Sequence, residues 1–305
     1  MKKLTIHILV FAFCVFLIDF TFGKMMSYLR NKSLYSNKID YVVDVCDAEV
    51  LIMGSSKAAE HYCSSIIADS LRRSVYNCGL PGNGIIGAYV FLTQITKRYK
   101  PFCIVYEVTP WYDYYSVDPL IKYINVFKHL YGRDAVNDIF EKCDSDEIVK
   151  LKSNLYKYNN RFAINALFSQ NNSALNNMGF HPLTGVLDIT TIKKKDKKSN
   201  LIEFDPTKYN YLKAFAELCV SRNINIVFVV SPRYTQDNTG DYHYAKEICE
   251  DLNIPFIDNR NYPSVSDKPS MFHDEIHLNK EGASIYSQVF SSQLKNIISS
   301  FDCNN

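Results

Sequence analysis

Glu49-Val50-Leu51-Ile52-Met53-Gly54-Ser55-Ser56 sets the architecture of this chain. A short apolar run ends in a glycine and two small hydroxyl residues. Lys57 to Leu71 then shows helical spacing through Ala58, Ala59, Ile66, Ile67 and Leu71. Together these predict a buried strand, a tight turn and a helix. The pattern recurs along the chain. Ser74–Tyr76, Phe102–Val108, Ile224–Val230 and Ile254–Ile257 read as further strands, and Ile85–Tyr99, Pro206–Ser221, Tyr242–Leu252 and Lys280–Ser299 as helices. Five short strands alternating with helices predict an α/β domain built on a parallel, doubly wound sheet. Such sheets bind ligands outside the carboxyl ends of their strands, so chemistry is expected in the loops that follow them.

The residues that carry chemistry fall in those loops. Ser56 follows the first strand; a serine there is commonly a helix cap, and its functional reading is an exposed nucleophile. Asp274 and His277 stand three residues apart in Phe272-His273-Asp274-Glu275-Ile276-His277-Leu278-Asn279. Asn279 is a plausible cap for the closing helix and Gly282-Ala283 allow close packing in its first turn, so the pair sits in a loop anchored against a helix. As a set, His277 would take the Ser56 proton and Asp274 would fix the imidazole tautomer. The bland alternative is a capping Asp beside a surface His. The turn Asn77-Cys78-Gly79-Leu80-Pro81-Gly82-Asn83-Gly84 follows the second strand and offers Gly79, Gly82 or the Asn83 side chain as oxyanion donors, or is an ordinary strand-to-helix turn. Arg233, after the fourth strand, would hold an anionic or hydroxyl-rich substrate, or is a surface arginine. His181 is expected to line the cleft; His61 and His273 have no assigned role. No His, Asp or Glu set has metal spacing and no cofactor motif occurs.

The chain has 305 residues and a formal net charge of +2, which gives no nucleic-acid footprint. Met1-Lys2-Lys3 precedes an apolar run from Leu4 to Ile18, interrupted by Asp19 and extended by Phe20-Thr21-Phe22. With no small-x-small cleavage site after it, the run predicts an uncleaved signal anchor over 1–23, with Lys2 and Lys3 cytoplasmic and the remainder extracytoplasmic. A cleaved signal peptide and a buried helix are the alternatives. Residues 24–47 read as a polar stalk, and 48–300 as one domain interrupted by a Tyr- and Asn-rich insertion over 111–205. Helical segments are expected in the insertion around 119–131, 133–142 and 146–168. The run Lys193-Lys194-Lys195-Asp196-Lys197-Lys198 reads as a solvated loop, or as contact for an anionic polymer or membrane. Nine cysteines include no C-x-x-C pair; Cys78, Cys103, Cys219 and Cys249 read as buried thiols, and disulfides cannot be assigned from spacing.

Gly54-Ser55-Ser56 after a strand, Asn77-x-Gly79 after the second, and Asp274-x-x-His277-Leu278-Asn279-x-x-Gly282-Ala283 near the end resemble the SGNH/GDSL hydrolase superfamily, in particular its membrane-anchored, extracytoplasmic branch. The resemblance covers roughly residues 48–110 and 206–300. It implies a flavodoxin-like three-layer α/β/α domain, with Ser56 as nucleophile, His277 as base, Asp274 as orienter and Gly79 as oxyanion donor. The family's third block, Gly-x-Asn-Asp, is replaced here by Glu107-Val108-Thr109-Pro110-Trp111-Tyr112-Asp113. The expectation is a serine esterase or O-acyltransferase acting on acyl esters of a surface or secreted glycan. A non-catalytic glycan-binding or assembly protein on the same fold is the rival, and a cytoplasmic lipase-like enzyme a more distant one.

Overall fold

The computed structural model describes residues 2–116, 121–143, 145–160, 173–192, 203–234 and 242–302. In chain order, α1 (Lys2–Lys32) and α2 (Lys38–Asp44) precede β1 (Val50–Gly54), α3 (Ser56–His61), α4 (Ser64–Leu71), β2 (Val75–Asn77), α5 (Ile85–Ile95), β3 (Cys103–Glu107) and the single turn α6 (Pro110–Asp113). Then come α7 (Ile121–Phe127), α8 (Asp134–Cys143), α9 (Ser145–Leu151) and α10 (Asn154–Lys157). The chain continues through α11 (Pro206–Ser221), β4 (Asn225–Val230), α12 (His243–Leu252), β5 (Phe256–Asp258), α13 (Pro263–Ser266) and α14 (Lys280–Asp302). The lysine-rich run at 193–198 and the expected helical residues 161–168 lie outside the described residues.

Two units form. The larger comprises Cys46–Val117 and Leu175–Asn305. Its five strands are parallel, in the order β2-β1-β3-β4-β5. That is the flavodoxin-like arrangement, with its switch point between β1 and β3. Helices α3, α4 and α14 pack together on one face, and α5, α11 and α12 on the other. Alternate side chains follow the pleat. Val50, Ile52, Val105, Val227 and Val229 join Tyr62, Tyr286, Phe290 and Leu294 in one core cluster. On the other side the Tyr106 ring packs against Phe215 and Phe228. The β1–β3 register pairs Gly54 with Glu107. Gly54 has φ +138°, and a Cβ there would lie 2.8 Å from the Glu107 carbonyl oxygen. Only glycine lets the two strand ends approach this closely while the chain turns.

Local signals set several boundaries differently from the sequence reading. The helix expected over 57–71 is two helices, α3 and α4, because Cys63 takes an extended conformation (φ −74°, ψ 103°). Its N–H is then held by the Ser287 hydroxyl, 2.7 Å away. Helix α5 stops at Ile95, and β5 begins at Phe256. Among the described residues every cysteine is a free thiol.

The smaller unit comprises Met1–Val45 and Asp118–Ala174. Helix α1 is long and apolar enough to cross a membrane, and its apolar window is exposed throughout. Length and composition fit a single-pass anchor or a signal sequence equally. Residues 24–32, expected in the stalk, continue α1. The end of α1 is tied to α2 by Arg30, whose Nε donates to Asp40 Oδ1 at 2.6 Å and whose Nη2 donates to Asp44. Arg133 donates to the same Asp44 carboxylate at 2.8 Å.

Candidate active site

Four loops at the carboxyl edge of the sheet meet around one cavity. Its volume is about 190 Å³, and its lining includes Ser56, Thr109, Trp111, Arg233, Tyr242 and His277. Ser56 opens α3 immediately beyond β1. Thr109 follows β3 and lines the same cavity as Ser56.

The Ser56 Oγ lies 2.8 Å from His277 Nε2. On the other edge of the ring, His277 Nδ1 is 2.8 Å from Asp274 Oδ2 and 3.0 Å from Oδ1. An ionised carboxylate only accepts, so Nδ1 carries the proton, Nε2 keeps its lone pair, and the Ser56 hydroxyl donates to it. Burial opposes charge on Asp274. The donors from His277 Nδ1 and from the Ile276 and His277 amides nevertheless hold its pKa down at about 2. The loop that carries the pair is fixed from below. The His273 N–H donates to the His277 carbonyl at 2.8 Å, and Asn279 Nδ2 reaches the Ser270 and Gly185 carbonyls at 2.7 and 3.0 Å.

Beneath Ser56 lies a closed polar network that sequence reading did not find. Glu107, fully buried at the end of β3, accepts from Tyr62, from the Ser231 amide and hydroxyl, and from Lys57 Nζ at 2.8 Å. His61 completes it. The Leu278 N–H donates to His61 Nε2 at 3.0 Å, so Nδ1 bears the hydrogen and donates to the Ser231 hydroxyl at 2.8 Å. Burial, reinforced by the charges of Lys57, His277 and Arg233, pushes His61 well below the usual imidazole range and keeps it neutral. The network locks α3 to β3, to the end of β4 and to the His277 loop, so the reacting side chains stand on a rigid base.

Two more residues escaped the sequence reading. Glu60 is buried, and its Oε2 makes no hydrogen bond yet lies 3.7 Å from His277 Nε2. Its other oxygen is 3.6 Å from His181 Nδ1; His181, expected to line the cleft, is not among the residues lining the cavity. Burial raises the Glu60 pKa against the pull of both imidazoles. The Thr109 hydroxyl is buried and makes no hydrogen bond. Its backbone N–H donates to Asp113 Oδ2 at 2.6 Å, so the turn after β3 is held by a buried carboxyl that burial has pushed up to about 7.

The turn after β2 is placed differently from the expectation. Asn77 Nδ2 donates to the Ala58 and Tyr62 carbonyls at 2.7 and 3.1 Å, and its Oδ1 accepts from the Gly79 N–H at 2.9 Å. The Gly79 amide is thus committed inside the turn. A Cβ on Gly79 would lie 2.3 Å from the Ala59 nitrogen, so glycine there serves close packing against α3. Gly79, Gly82 and Asn83 are not among the residues lining the cavity. Asn83 is buried, with Nδ2 donating to the Pro81 carbonyl at 3.2 Å. Arg233 does line the cavity, and His273 Nδ1 instead meets the Thr184 carbonyl at 2.6 Å. Among the described residues no His, Cys, Asp and Glu cluster could hold a metal ion.

No protein-family model matches this chain, and no curated protein does. Solved structures similar to it include the following two. One is an acetyl xylan esterase, AlAXEase, at 14% identity and a TM-score of 0.39, covering 80% of this chain and 98% of that one. The other is described as a lipolytic protein of the G-D-S-L family from Desulfitobacterium hafniense DCB-2, at 12% identity and a TM-score of 0.38, with the same coverage of 80% and 98%.

Proposed function

We propose that this chain is a membrane-anchored serine ester hydrolase or O-acyltransferase of the SGNH/GDSL type. The supporting observation is the unbroken hydrogen-bonded line from Ser56 Oγ through His277 to Asp274, opening on a small cavity. In the first step, Ser56 Oγ attacks the ester carbonyl carbon while its proton passes to His277 Nε2. The Asp274 carboxylate stabilises the imidazolium. Collapse of the tetrahedral intermediate expels the alcohol, which takes the proton from Nε2 and leaves Ser56 acylated. Water or a sugar hydroxyl then gives its proton to Nε2 and attacks the acyl carbon; the second tetrahedral intermediate breaks its bond to Ser56 Oγ, which takes the proton back from Nε2.

The oxyanion needs donors, and the family's third-block Asn is absent. The Thr109 hydroxyl, buried in the cavity wall without a partner, is the group we assign to that task. A cavity this small suits a short acyl group such as acetyl. The aromatic rings of Trp111, Tyr112 and Tyr242 in its wall suit a sugar ring on the alcohol side, which favours an acylated glycan. Lys2 and Lys3 before the apolar run of α1 support an orientation with the domain outside the cytoplasm.

The test is direct. The full-length protein in detergent is incubated with an activated acetyl ester and with acetylated oligosaccharides. Turnover is expected for the parent chain and its loss for Ser56→Ala; equal rates would sink the proposal. The altered third block favours one rival, a glycan-binding protein that keeps the fold without the reaction. Glycan binding unaffected by Ser56→Ala, with no acyl-serine detected by mass spectrometry, would support it.

A further inference from the structure

Asp19 is the only carboxylate between Leu4 and Gly23, and it is not left bare. Its Oδ1 accepts from the Ser153 hydroxyl at 2.6 Å and the Leu155 N–H at 2.9 Å. Its Oδ2 accepts from the Asn154 N–H at 2.9 Å and from Asn154 Nδ2 at 3.0 Å. One turn further on, a Cβ on Gly23 would lie 2.4 Å from Asn154 Cγ, so glycine is what lets the two segments meet. The turn between α9 and α10 is therefore clasped onto α1 at a fixed height.

That height can be converted to a depth. A helix rises about 1.5 Å per residue, so Leu4 to Phe22 spans about 28 Å, close to the roughly 30 Å of a bilayer's hydrocarbon. Asp19 then lies about one turn inside the outer border, where a bare carboxylate is costly and a fully hydrogen-bonded one is tolerated. The Leu155 N–H bonds to this carboxylate, so Leu155 stands at the same depth. Leu155 is 42% exposed, and Val149 in the adjoining α9 is 68% exposed. Lys150 and Lys152 between them are exposed as well.

We propose that the α9–α10 turn is a lipid-contacting surface. Leu155 and Val149 reach the acyl chains of the outer leaflet, and Lys150 and Lys152 lie among the headgroup phosphates. Asp19 is the latch that sets this depth. The inference rests on reading α1 as a membrane anchor, and the experiment separates the two.

The chain has a single tryptophan, Trp111, which can be removed as Trp111→Phe. Tryptophan is then placed at Phe16→Trp or at Leu155→Trp, and the full-length protein is reconstituted into vesicles with and without brominated phosphatidylcholine. Both positions are expected to be quenched by the brominated lipid, position 155 at least half as strongly as position 16. Adding Asp19→Ala should lower quenching at position 155 and leave position 16 unchanged. Quenching at position 16 but none at 155 overturns the proposal while keeping the anchor. No quenching at either overturns both. Undiminished quenching at position 155 in Asp19→Ala overturns the latch.

Discussion

The Ser56 hydroxyl donates to His277 Nε2 at 2.8 Å across 221 residues of chain. The parallel sheet makes this contact, because the loops after β1 and β5 emerge at the same edge. If the two side chains act as one unit, removing either should abolish what both do. Ser56→Ala, His277→Ala and the double variant are each expected to lose about 10⁴-fold or more in kcat, with no further loss in the double. Additive losses would show that the two side chains work independently.

Asp274 is held at about 2, below its ordinary 3.8. A carboxylate depressed in the fold contributes stability that is present above pH 3.8 and lost as pH falls through about 2. Asp274→Asn should therefore be less stable than the parent at pH 7, with the gap in Tm closing toward pH 2. A gap that persists at pH 2 would contradict the charge as its source. In activity the same variant should lose about 10⁴-fold in kcat, since the amide can hold the wrong imidazole tautomer.

Glu60 faces His277 Nε2 and His181, while Asp274 faces His277 from the opposite edge. Burial raises the Glu60 pKa above its ordinary 4.5, so its charged form is the costly one in the fold. Glu60→Gln should therefore be more stable than the parent at pH 7, with the gap in Tm closing as pH falls below 4.5. A gap that persists unchanged at low pH would contradict the carboxylate charge as its source.

Thr109 offers the sharpest separation of hydroxyl from shape. Thr109→Val, which keeps the volume and removes the donor, is expected to lose about 10²–10³ in kcat with KM little changed. Thr109→Ser should restore most of it. Equal kcat values in the parent and the valine variant would move the oxyanion donor elsewhere.

Asn77 is expected to matter for stability before chemistry. Its three buried hydrogen bonds hold α3 and the Gly79 turn together. Asn77→Ala should destabilise the domain by about 2–3 kcal/mol in denaturant titration, because buried partners lose their pairing. Full stability with lost activity would instead point to a direct role in the reaction.

The strands were legible because a buried parallel strand is written as an apolar, β-branched run, as in Ile226-Val227-Phe228-Val229-Val230. Ser56, Asp274 and His277 were legible as a group because each follows a strand end, and the loop holding the last two is pinned by Asn279. The break at Cys63 carried no Gly or Pro, and the Ser287 hydroxyl that holds its N–H lies 224 residues away. Gly23 looked like the end of an apolar segment, whereas it is a contact with Asn154 inside a continuing helix. Asn77-x-Gly79 looked like a donor turn, but the side chain of Asn77 consumes the amide. Glu60, Thr109 and Glu107 carry no motif of their own. Their importance comes from which atoms find partners in the fold and which do not.

The clasp on Asp19 also has a consequence for biogenesis. Its partners at Ser153, Asn154 and Leu155 are made 134 to 136 residues later. At about 5–20 residues per second, the ribosome supplies them on the order of ten seconds after Asp19 itself. Through that interval the carboxylate must be kept hydrated or shielded by other means, so the smaller unit cannot close until Leu155 has been synthesised.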